Sequence, residues 1–230
     1  MKSHIKRLAI PKSWPIKKNG ITFITKPCPG PHPVKMGLPL KLVIRDMLGI
    51  AKSSKEVKNI LHNNEILVDG VRRKDLKFPV GIMDVIEIKK SDEHFRVVLE
   101  KEKIRLIPID KKEASLKPCK IMGKSLVKGK TQLNLYDGKN MLIGKGSYSV
   151  GDTVVITLPK QEIKEHIKLE KGCSIYLIGG KHVGDTGKIH DIIFNKVTYK
   201  GKSGEIIETL KKYVFVIGKD KAAVSLAKKK

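Results

Sequence analysis

Residues 38–90 show two helical patterns followed by strand patterns within one short stretch. Apolar residues first recur three and four positions apart, as on one face of a helix. These positions are Leu40, Val43, Ile44, Met47 and Leu48. A second helix is predicted from Ser53, because a serine followed three residues later by a glutamate, here Glu56, can cap the first amides of a helix. Its apolar positions are Val57, Ile60 and Leu61.

The second half of this stretch predicts a β-hairpin. Apolar residues alternate on both sides of Asp69 and Gly70, a dipeptide that favours the tight turn of a two-stranded hairpin. The segment GIMDVIEI, residues 81–88, follows as a further strand. The pattern predicts a small helical and hairpin domain over residues 38–91.

Short strand patterns dominate the chain after this domain. Two strands are predicted within residues 95–109, a hairpin around Asp137 and Gly138, and one strand within 150–158. Residues 111–124 are interpreted as a short helix or loop, and residues 161–169 as a connector. We therefore expect a small antiparallel barrel or sandwich over residues 92–170.

A glycine-rich basic loop separates two strand patterns in the last part of the chain. Gly180, Gly184 and Gly187 permit positive φ angles and close approach of another backbone. A nucleotide phosphate loop is disfavoured, because no Gly-Lys followed by Ser or Thr opens a helix here. Closing strands are predicted within residues 213–226, so we expect a C-terminal small β-barrel over 171–230 with a basic tail. The predicted fold class is α+β and multidomain.

The net charge of the chain indicates the type of its binding partner more clearly than any other property of the sequence. The chain has 48 Lys and Arg against 23 Asp and Glu, a formal net charge of +25. A fold has no internal need for such an excess, so a polyanionic partner is implied, with nucleic acid as the leading candidate. A membrane surface is the weaker choice, because no apolar run of spanning length and no long basic amphipathic helix is present.

The first residues predict a basic, proline-rich arm over 1–37. Residues 1–45 contain ten Lys or Arg and no acidic residue. Such an arm cannot bury enough surface to fold unaided and would gain order along a phosphate backbone. Docking of Trp14 onto the protein's own core is favoured over base stacking. His32 is interpreted as a turn residue or an RNA contact.

The three cysteines lie far apart in the sequence, without a Cys-x-x-Cys pair. Cys28, Cys119 and Cys173 therefore suggest neither a disulfide framework nor a zinc site, and they are expected to be reduced, partly buried thiols. The N-terminal residues lack the apolar core of a signal peptide, so an intracellular protein is expected.

The basic helix face and hairpin of residues 38–91 resemble the S4 RNA-binding domain. The matching residues are Ser53, Glu56, Val57, Ile60, Ile66, Val68, Asp69 and Gly70. Asn64 departs from the pattern, since a glycine is usual there. The loop GGKHVGDTGKI similarly resembles the KOW motif, which is found in small five-stranded barrels of ribosomal proteins and elongation factors.

The order of these segments resembles the small-subunit ribosomal protein family S4e over nearly the whole chain. Further matching segments are RLAIPKSWPI, PGPHP, LPLKLVIRDML, ILVDGVRRKD, FPVGIMDVI, QLNLYDGKN, GDTVVITLP and YVFVIG. Tyr136 and Ala222 depart from the family, where a histidine and a proline are common. The sequence of these segments is nearer the archaeal than the eukaryotic form of the family.

The resemblance implies a structural constituent of the small ribosomal subunit that binds ribosomal RNA and supports assembly and translation. Its expected partners are ribosomal RNA and neighbouring small-subunit proteins in the cytoplasm, with no membrane, metal, cofactor, small-molecule substrate or catalytic residue. An RNA-modifying enzyme, such as a pseudouridine synthase, and a free transcription or translation factor remain alternatives. The candidate RNA-binding residues are Arg7, Lys12, Lys17, Lys52, Lys55, Lys58, Arg72, Arg73, Lys77, Lys181, His182 and Lys188.

Overall fold

The chain forms two compact units, seen in a computed structural model that describes residues 4–63, 65–144, 146–201, 204–219 and 222–226. The N-terminal unit holds the described residues up to 99 together with 103–115. The C-terminal unit holds 100–102 and the described residues from 116 to 226. This division is coarser than the four predicted segments. The predicted residues Asn64 and the tail 227–230 lie outside the described residues.

The first residues of the N-terminal unit are folded against it rather than extended. Strand β1 (His4–Lys6) pairs antiparallel with β2 (Phe23–Thr25). Trp14 is only 3% exposed, and its indole N–H donates a hydrogen bond of 3.0 Å to the carbonyl of Val34. The predicted docking of Trp14 is therefore confirmed. Ile10 and Ile24 are also buried. This segment therefore does bury apolar surface, contrary to the expectation that it could not bury enough to fold.

Both predicted helices are present in the N-terminal unit. The first is a short α-helical turn, α1 (Leu40–Leu42), that continues as a π-helical turn (Val43–Met47). The second is α2 (Ser54–Asn63). Its start is the predicted capping box, because the Ser53 hydroxyl donates to the Glu56 carboxylate at 2.9 Å and accepts from the Glu56 amide at 3.2 Å.

The main sheet of the N-terminal unit is larger than the predicted hairpin domain. Its order is β5-β4-β7-β8-β9, and a two-stranded ladder β3-β6 lies in the same unit. The strands are β3 (Gly37–Pro39), β4 (Ile66–Val68), β5 (Val71–Arg72), β6 (Pro79–Gly81), β7 (Val85–Ile88), β8 (Glu93–Glu100) and β9 (Lys103–Pro108). Asp69 and Gly70 have φ of 54° and 73° and form the predicted tight turn.

Strands β8 and β9 were predicted correctly as strands but assigned to the wrong part of the chain. We expected a boundary after residue 91, with both strands in a central domain. Instead β8 pairs with β7, with Val85 opposite Arg96 and Ile88 opposite Glu93. Arg96 also donates to the Glu113 carboxylate at 2.6 Å, which holds the short helix α3 (Lys111–Ala114) to β8. The boundary of the N-terminal unit therefore falls near residue 115.

The C-terminal unit begins with a five-stranded antiparallel sheet in the order β12-β11-β10-β13-β14. Its strands are β10 (Leu116–Val127), β11 (Lys130–Leu135), β12 (Asn140–Ile143), β13 (Thr153–Thr157) and β14 (Ile163–Ile167). The interpretation of 111–124 as a helix or loop is wrong from residue 116 onward, because β10 pairs with β13 on one side and β11 on the other. The predicted connector 161–169 contains β14, which is anchored by buried Ile167.

A second five-stranded antiparallel sheet completes the C-terminal unit, in the order β18-β17-β16-β15-β19. Its strands are β15 (Ser174–Leu177), β16 (Thr186–Ile193), β17 (Lys196–Gly201), β18 (Ile206–Leu210) and β19 (Val214–Gly218). Buried Val155 and Ile167 of the first sheet share a core with Ile175 and Val216 of the second. The protein is thus mostly β-sheet. In the described part of the chain, none of the helices has the length and apolarity needed to span a membrane.

Candidate nucleic-acid interface

Helix α2 presents two predicted lysines, Lys55 and Lys58, on its solvent side, and a third, Lys52, lies just before the helix begins. Val57 and Leu61 are buried, whereas Lys52, Lys55 and Lys58 are exposed. The capping box fixes the start of this helix, since the Glu56 carboxylate accepts hydrogen bonds from the amide of Lys52 and from Ser53. These bonds lower the pKa of Glu56.

Arg72 and Arg73 hold the β4–β5 hairpin against its surroundings. Arg72 donates from Nη2 to the carbonyl of His62, in the last turn of α2, at 2.8 Å. The Arg73 guanidinium carbon lies 4.4 Å from the centroid of the Phe78 ring. Arg72 is exposed and therefore extends the basic side of α2, but Arg73 and Lys77 are half-buried. A charge reversal at both arginines would thus disturb the fold as well as any RNA contact.

The three RNA-binding candidates in residues 1–37 likewise include one side chain held within the fold and two exposed ones. Arg7 donates from Nε to the carbonyl of Ile21 and from Nη1 to the carbonyl of Lys17, each at 2.8 Å. Its guanidinium therefore closes the loop between β1 and β2. Lys12 and Lys17 are exposed, which leaves their side chains accessible to an anion.

The glycine-rich loop of the C-terminal unit is closed by backbone hydrogen bonds. Gly184 donates to the carbonyl of Leu177 at 2.8 Å, and Leu177 donates to the carbonyl of Asp185 at 2.9 Å. Gly180 and Gly184 have φ of 85° and 90°, so the predicted need for positive φ is confirmed at both. A Cβ on Gly187 would lie 2.4 Å from the carbonyl oxygen of Lys200, so the predicted close approach is confirmed there.

The basic candidates of this loop are brought beside a lysine that the sequence analysis missed. Lys181 and Lys188 are exposed, and His182 Nδ1 lies 3.6 Å from the Asp185 carboxylate. Lys188 in β16 is directly opposite Lys200 in β17. Alternation with buried Val197 and Tyr199 would have placed Lys200 on the outer side of its strand. Its pairing with Lys188 depends on strand register, which no local sequence signal gives.

His32 is a buried structural residue, so its interpretation as an RNA contact is wrong. Its Nε2 lies 3.0 and 2.9 Å from the two carboxylate oxygens of Asp84, and its side chain is removed from solvent. The Asp84 carboxylate also accepts the amide of Gly81 at 2.9 Å. The partner lies 52 residues away in the sequence, which is why the histidine looked isolated.

Two lysines of β10 are buried with their charges compensated inside the protein. Lys117 Nζ lies 3.0 Å from the Asp137 carboxylate. Lys120 Nζ donates to the carbonyls of Lys211, Lys212 and Val214 at 3.3, 2.9 and 2.6 Å. Burial, with repulsion from Lys211, lowers the pKa of Lys120 to about 8. These lysines are therefore held inside the fold and are unavailable to RNA.

The described residues show no built metal centre. Among them, no group of three or more His, Cys, Asp or Glu side chains is arranged to hold a metal ion. Cys119 and Cys173 are buried and Cys28 is half-buried, as expected for these thiols.

Comparisons with known proteins identify relatives along nearly the whole chain. A family model described as "Ribosomal family S4e" matches residues 91–163, and the RS4NT (NUC023) domain matches residues 1–35. The small ribosomal subunit protein eS4 of Methanosphaera stadtmanae is 43% identical over 98% of this chain and 96% of the relative. The eS4 protein of Methanothermobacter thermautotrophicus is 42% identical, with the same two coverages of 98% and 96%.

A solved structure supports the same family relationship. The crystal structure of the 30S ribosomal protein S4e from Thermoplasma acidophilum matches with a TM-score of 0.71 and 33% identity, covering 84% of this chain and 99% of that chain. The class defined by these matches is that of structural ribosomal proteins, which rules out the enzyme alternative. The chain belongs to the S4e family, as the resemblance predicted.

Proposed function

We propose that this protein is a structural constituent of the small ribosomal subunit that binds ribosomal RNA and neighbouring subunit proteins in the cytoplasm. The observation that carries the proposal is the relationship over 98% of the chain to proteins named as small ribosomal subunit eS4. The net charge of +25 supports it, because a polyanion would neutralise the self-repulsion of the folded chain. Assembly and translation are the processes that such binding would support.

In this proposal, the predicted segments keep their functional roles, with the boundary after residue 91 moved to residue 115. Residues 38–91, together with the β8–β9 extension of their sheet, act as an S4-like RNA-binding domain, 116–170 as a central β region and 171–230 as a KOW-like barrel. Residues 4–37 contribute basic side chains from a folded segment rather than from a loose arm. This role is supported by exposed Lys12 and Lys17 on a segment whose Trp14 is buried.

The proposed mechanism is neutralisation of phosphates by exposed lysines on rigid elements. Lys55 and Lys58 lie one turn apart on α2, which is fixed by its capping box. Lys188 and Lys200 are exposed and lie directly opposite each other, so a phosphate beside them would interact with both positive charges. Binding would follow the shape and backbone of folded RNA rather than its base sequence.

Cofractionation tests the proposal directly. A stoichiometric constituent is expected to sediment with small subunits and to stay with them through a wash at moderate salt. A free factor would be removed by the same wash. Recovery of the protein mainly in the soluble fraction, at low salt, would overturn the proposal.

The double variant Lys55→Gln/Lys58→Gln is expected to bind a structured small-subunit ribosomal RNA fragment more weakly and with a smaller salt dependence. The slope of log K against log salt is negative, and each lost phosphate contact reduces its magnitude by about 0.7 to 0.9. The measurement is a filter-binding titration at several salt concentrations.

A matched control removes two charges from the same unit at lysines that already pair with carboxylates. Lys89 pairs with Glu65, and Lys111 Nζ lies 3.1 Å from the Asp92 carboxylate. The Lys89→Gln/Lys111→Gln variant is expected to keep most of the wild-type slope. Equal slopes for the two double variants would remove Lys55 and Lys58 from the interface.

A further inference from the structure

The paired strands β1 and β2 form a ribbon with one face toward the protein and one toward solvent. Side chains directly opposite each other in an antiparallel pair point to the same face. Ile5 is opposite Ile24, which is 4% exposed, so this pair is turned inward. The outer face carries Phe23 opposite Lys6, and both side chains are exposed. An aromatic ring and a positive charge therefore lie side by side on the outer face.

The Phe23 ring is held in position without being covered. His4, on the same face of the ribbon, meets it edge to face, with the ring centroids 5.2 Å apart and the ring planes at 67°. The Arg7 side chain donates to the carbonyl of Ile21, which fixes the chain just before β2. Phe23 is nevertheless 52% exposed, so about half of its side chain remains open to another flat group.

The positive charge around this ribbon is not compensated within the described part of the chain. Residues 1–45 contain no acidic side chain. The lysines of residues 4–37 form no ion pair with a carboxylate of the described residues. These lysines are Lys6, Lys12, Lys17, Lys18, Lys26 and Lys35. A partner that covers the outer face must therefore bring negative charge with it.

A nucleotide of unpaired RNA has both features that this face requires, because it joins a flat base to an anionic phosphate. Unpaired bases in RNA loops and bulges stack on aromatic side chains such as phenylalanine and histidine. An apolar pocket in another protein would cover the ring, but it would also need several carboxylates to neutralise the lysines. RNA supplies one phosphate with every base, so the charge favours RNA over protein as the partner.

We propose that Phe23 stacks on an unpaired base of ribosomal RNA while Lys6 contacts a phosphate next to that base. This inference rests on the proposed function, because it takes ribosomal RNA as the partner. It adds a base contact to a mechanism that otherwise uses phosphates alone. Because every base offers a flat face for stacking, this contact adds affinity without requiring a particular base.

Two variants separate the stacking contact from the phosphate contact. Filter-binding titrations at several salt concentrations use the full chain and purified small-subunit ribosomal RNA freed of protein. Phe23→Ala is expected to bind about 5- to 100-fold more weakly with the wild-type salt dependence, because no charge is lost. Lys6→Gln is expected to reduce the magnitude of the slope of log K against log salt by about 0.7.

Matched controls show whether the aromatic ring itself is needed. Phe23→Tyr keeps a ring and is expected to retain most of the wild-type affinity. Ile21→Ala removes an apolar side chain that is 71% exposed and lies outside the ladder, and it is expected to bind like the wild type. Fluorescence of buried Trp14 verifies that each variant is folded during the titration. Equal affinities of Phe23→Ala and Ile21→Ala at every salt concentration would overturn the inference.

Ultraviolet irradiation of purified small subunits provides a test that needs no variant, because it joins bases to side chains that they contact. Mass spectrometry is expected to find a nucleotide on Phe23. Nucleotides on the lysines of residues 4–37 but none on Phe23 would overturn the inference and leave the proposed function intact. The same holds if Phe23→Ala binds RNA like the wild type yet leaves subunits at lower salt, since the ring would then contact protein. Absence of the wild-type chain from small subunits would instead contradict the proposed function.

Discussion

Replacing Asp137 with asparagine is expected to lower the free energy of unfolding of the C-terminal unit by about 3 to 5 kcal/mol. Asp137 and Lys117 are 3% and 1% exposed, and the two charges lie 3.0 Å apart. The asparagine keeps the shape and can still accept the amide of Lys139, as Asp137 does at 3.2 Å. It removes the anion, however, and leaves a buried ammonium whose desolvation is no longer offset. Hydrogen exchange of residues 116–143 would measure the loss.

Two controls distinguish a lost ion pair from a general disturbance of this hairpin. Lys139→Gln removes the more exposed lysine, whose Nζ lies 3.3 Å from the same carboxylate, and is expected to cost less than about 1 kcal/mol. Lys117→Met combined with Asp137→Asn removes both buried charges and is expected to restore most of the stability. A double variant as unstable as Asp137→Asn alone would contradict the ion-pair explanation.

The same pair gives the C-terminal unit a defined response to acid. Burial opposes ionisation of Asp137, but the opposing charges of Lys117 and Lys139 prevail and lower its pKa. Between the folded pKa and the unfolded value of about 3.9, the unfolded chain binds more protons, so stability falls as the pH falls. The Asp137→Asn variant lacks this contribution. Its free energy of unfolding is therefore expected to fall less than that of the wild type as the pH is lowered from about 5.

Features set by neighbouring residues could be predicted from the sequence. The capping box at Ser53 and Glu56 and the Asp69–Gly70 turn are confirmed, because each depends on four residues or fewer. Positive φ at Gly180 and Gly184 is confirmed for the same reason. Local backbone preferences therefore identified the starts, ends and turns of these elements.

Features set by distant partners could not be predicted in this way. Strand β10 contains a proline and two lysines in its first five residues, so its apolar alternation is weak. It is nevertheless a strand because it pairs with β11 and β13, and its buried lysines have distant partners, Asp137 for Lys117 and the carbonyls of residues 211–214 for Lys120. The register that places Lys200 opposite Lys188 is likewise nonlocal. Net charge indicated the type of partner, but it did not distinguish exposed from buried lysines.

The variant Gly81→Ala is expected to destabilise the N-terminal unit by about 3 kcal/mol. A Cβ on Gly81 would lie 2.2 Å from Cγ of His32 and 2.5 Å from its Cδ2 and Nδ1. The ring cannot simply rotate away, because Nε2 is held by both oxygens of buried Asp84. Space for the methyl group therefore requires loss of the His32–Asp84 pair. Trp14 is the single tryptophan of the chain, so its fluorescence during denaturant unfolding reports on this unit.

A double-mutant cycle with His32→Ala makes the explanation testable. His32→Ala is itself destabilising, because it leaves the buried Asp84 carboxylate without the imidazole. In that background the ring no longer occupies the position of the new methyl group, so Gly81→Ala should cost less than about 1 kcal/mol. An equal cost of Gly81→Ala in both backgrounds would show that the clash with His32 is not its cause. Because Trp14 bonds to Val34, close to His32 in the chain, both single variants should also expose residues 1–37 to proteases.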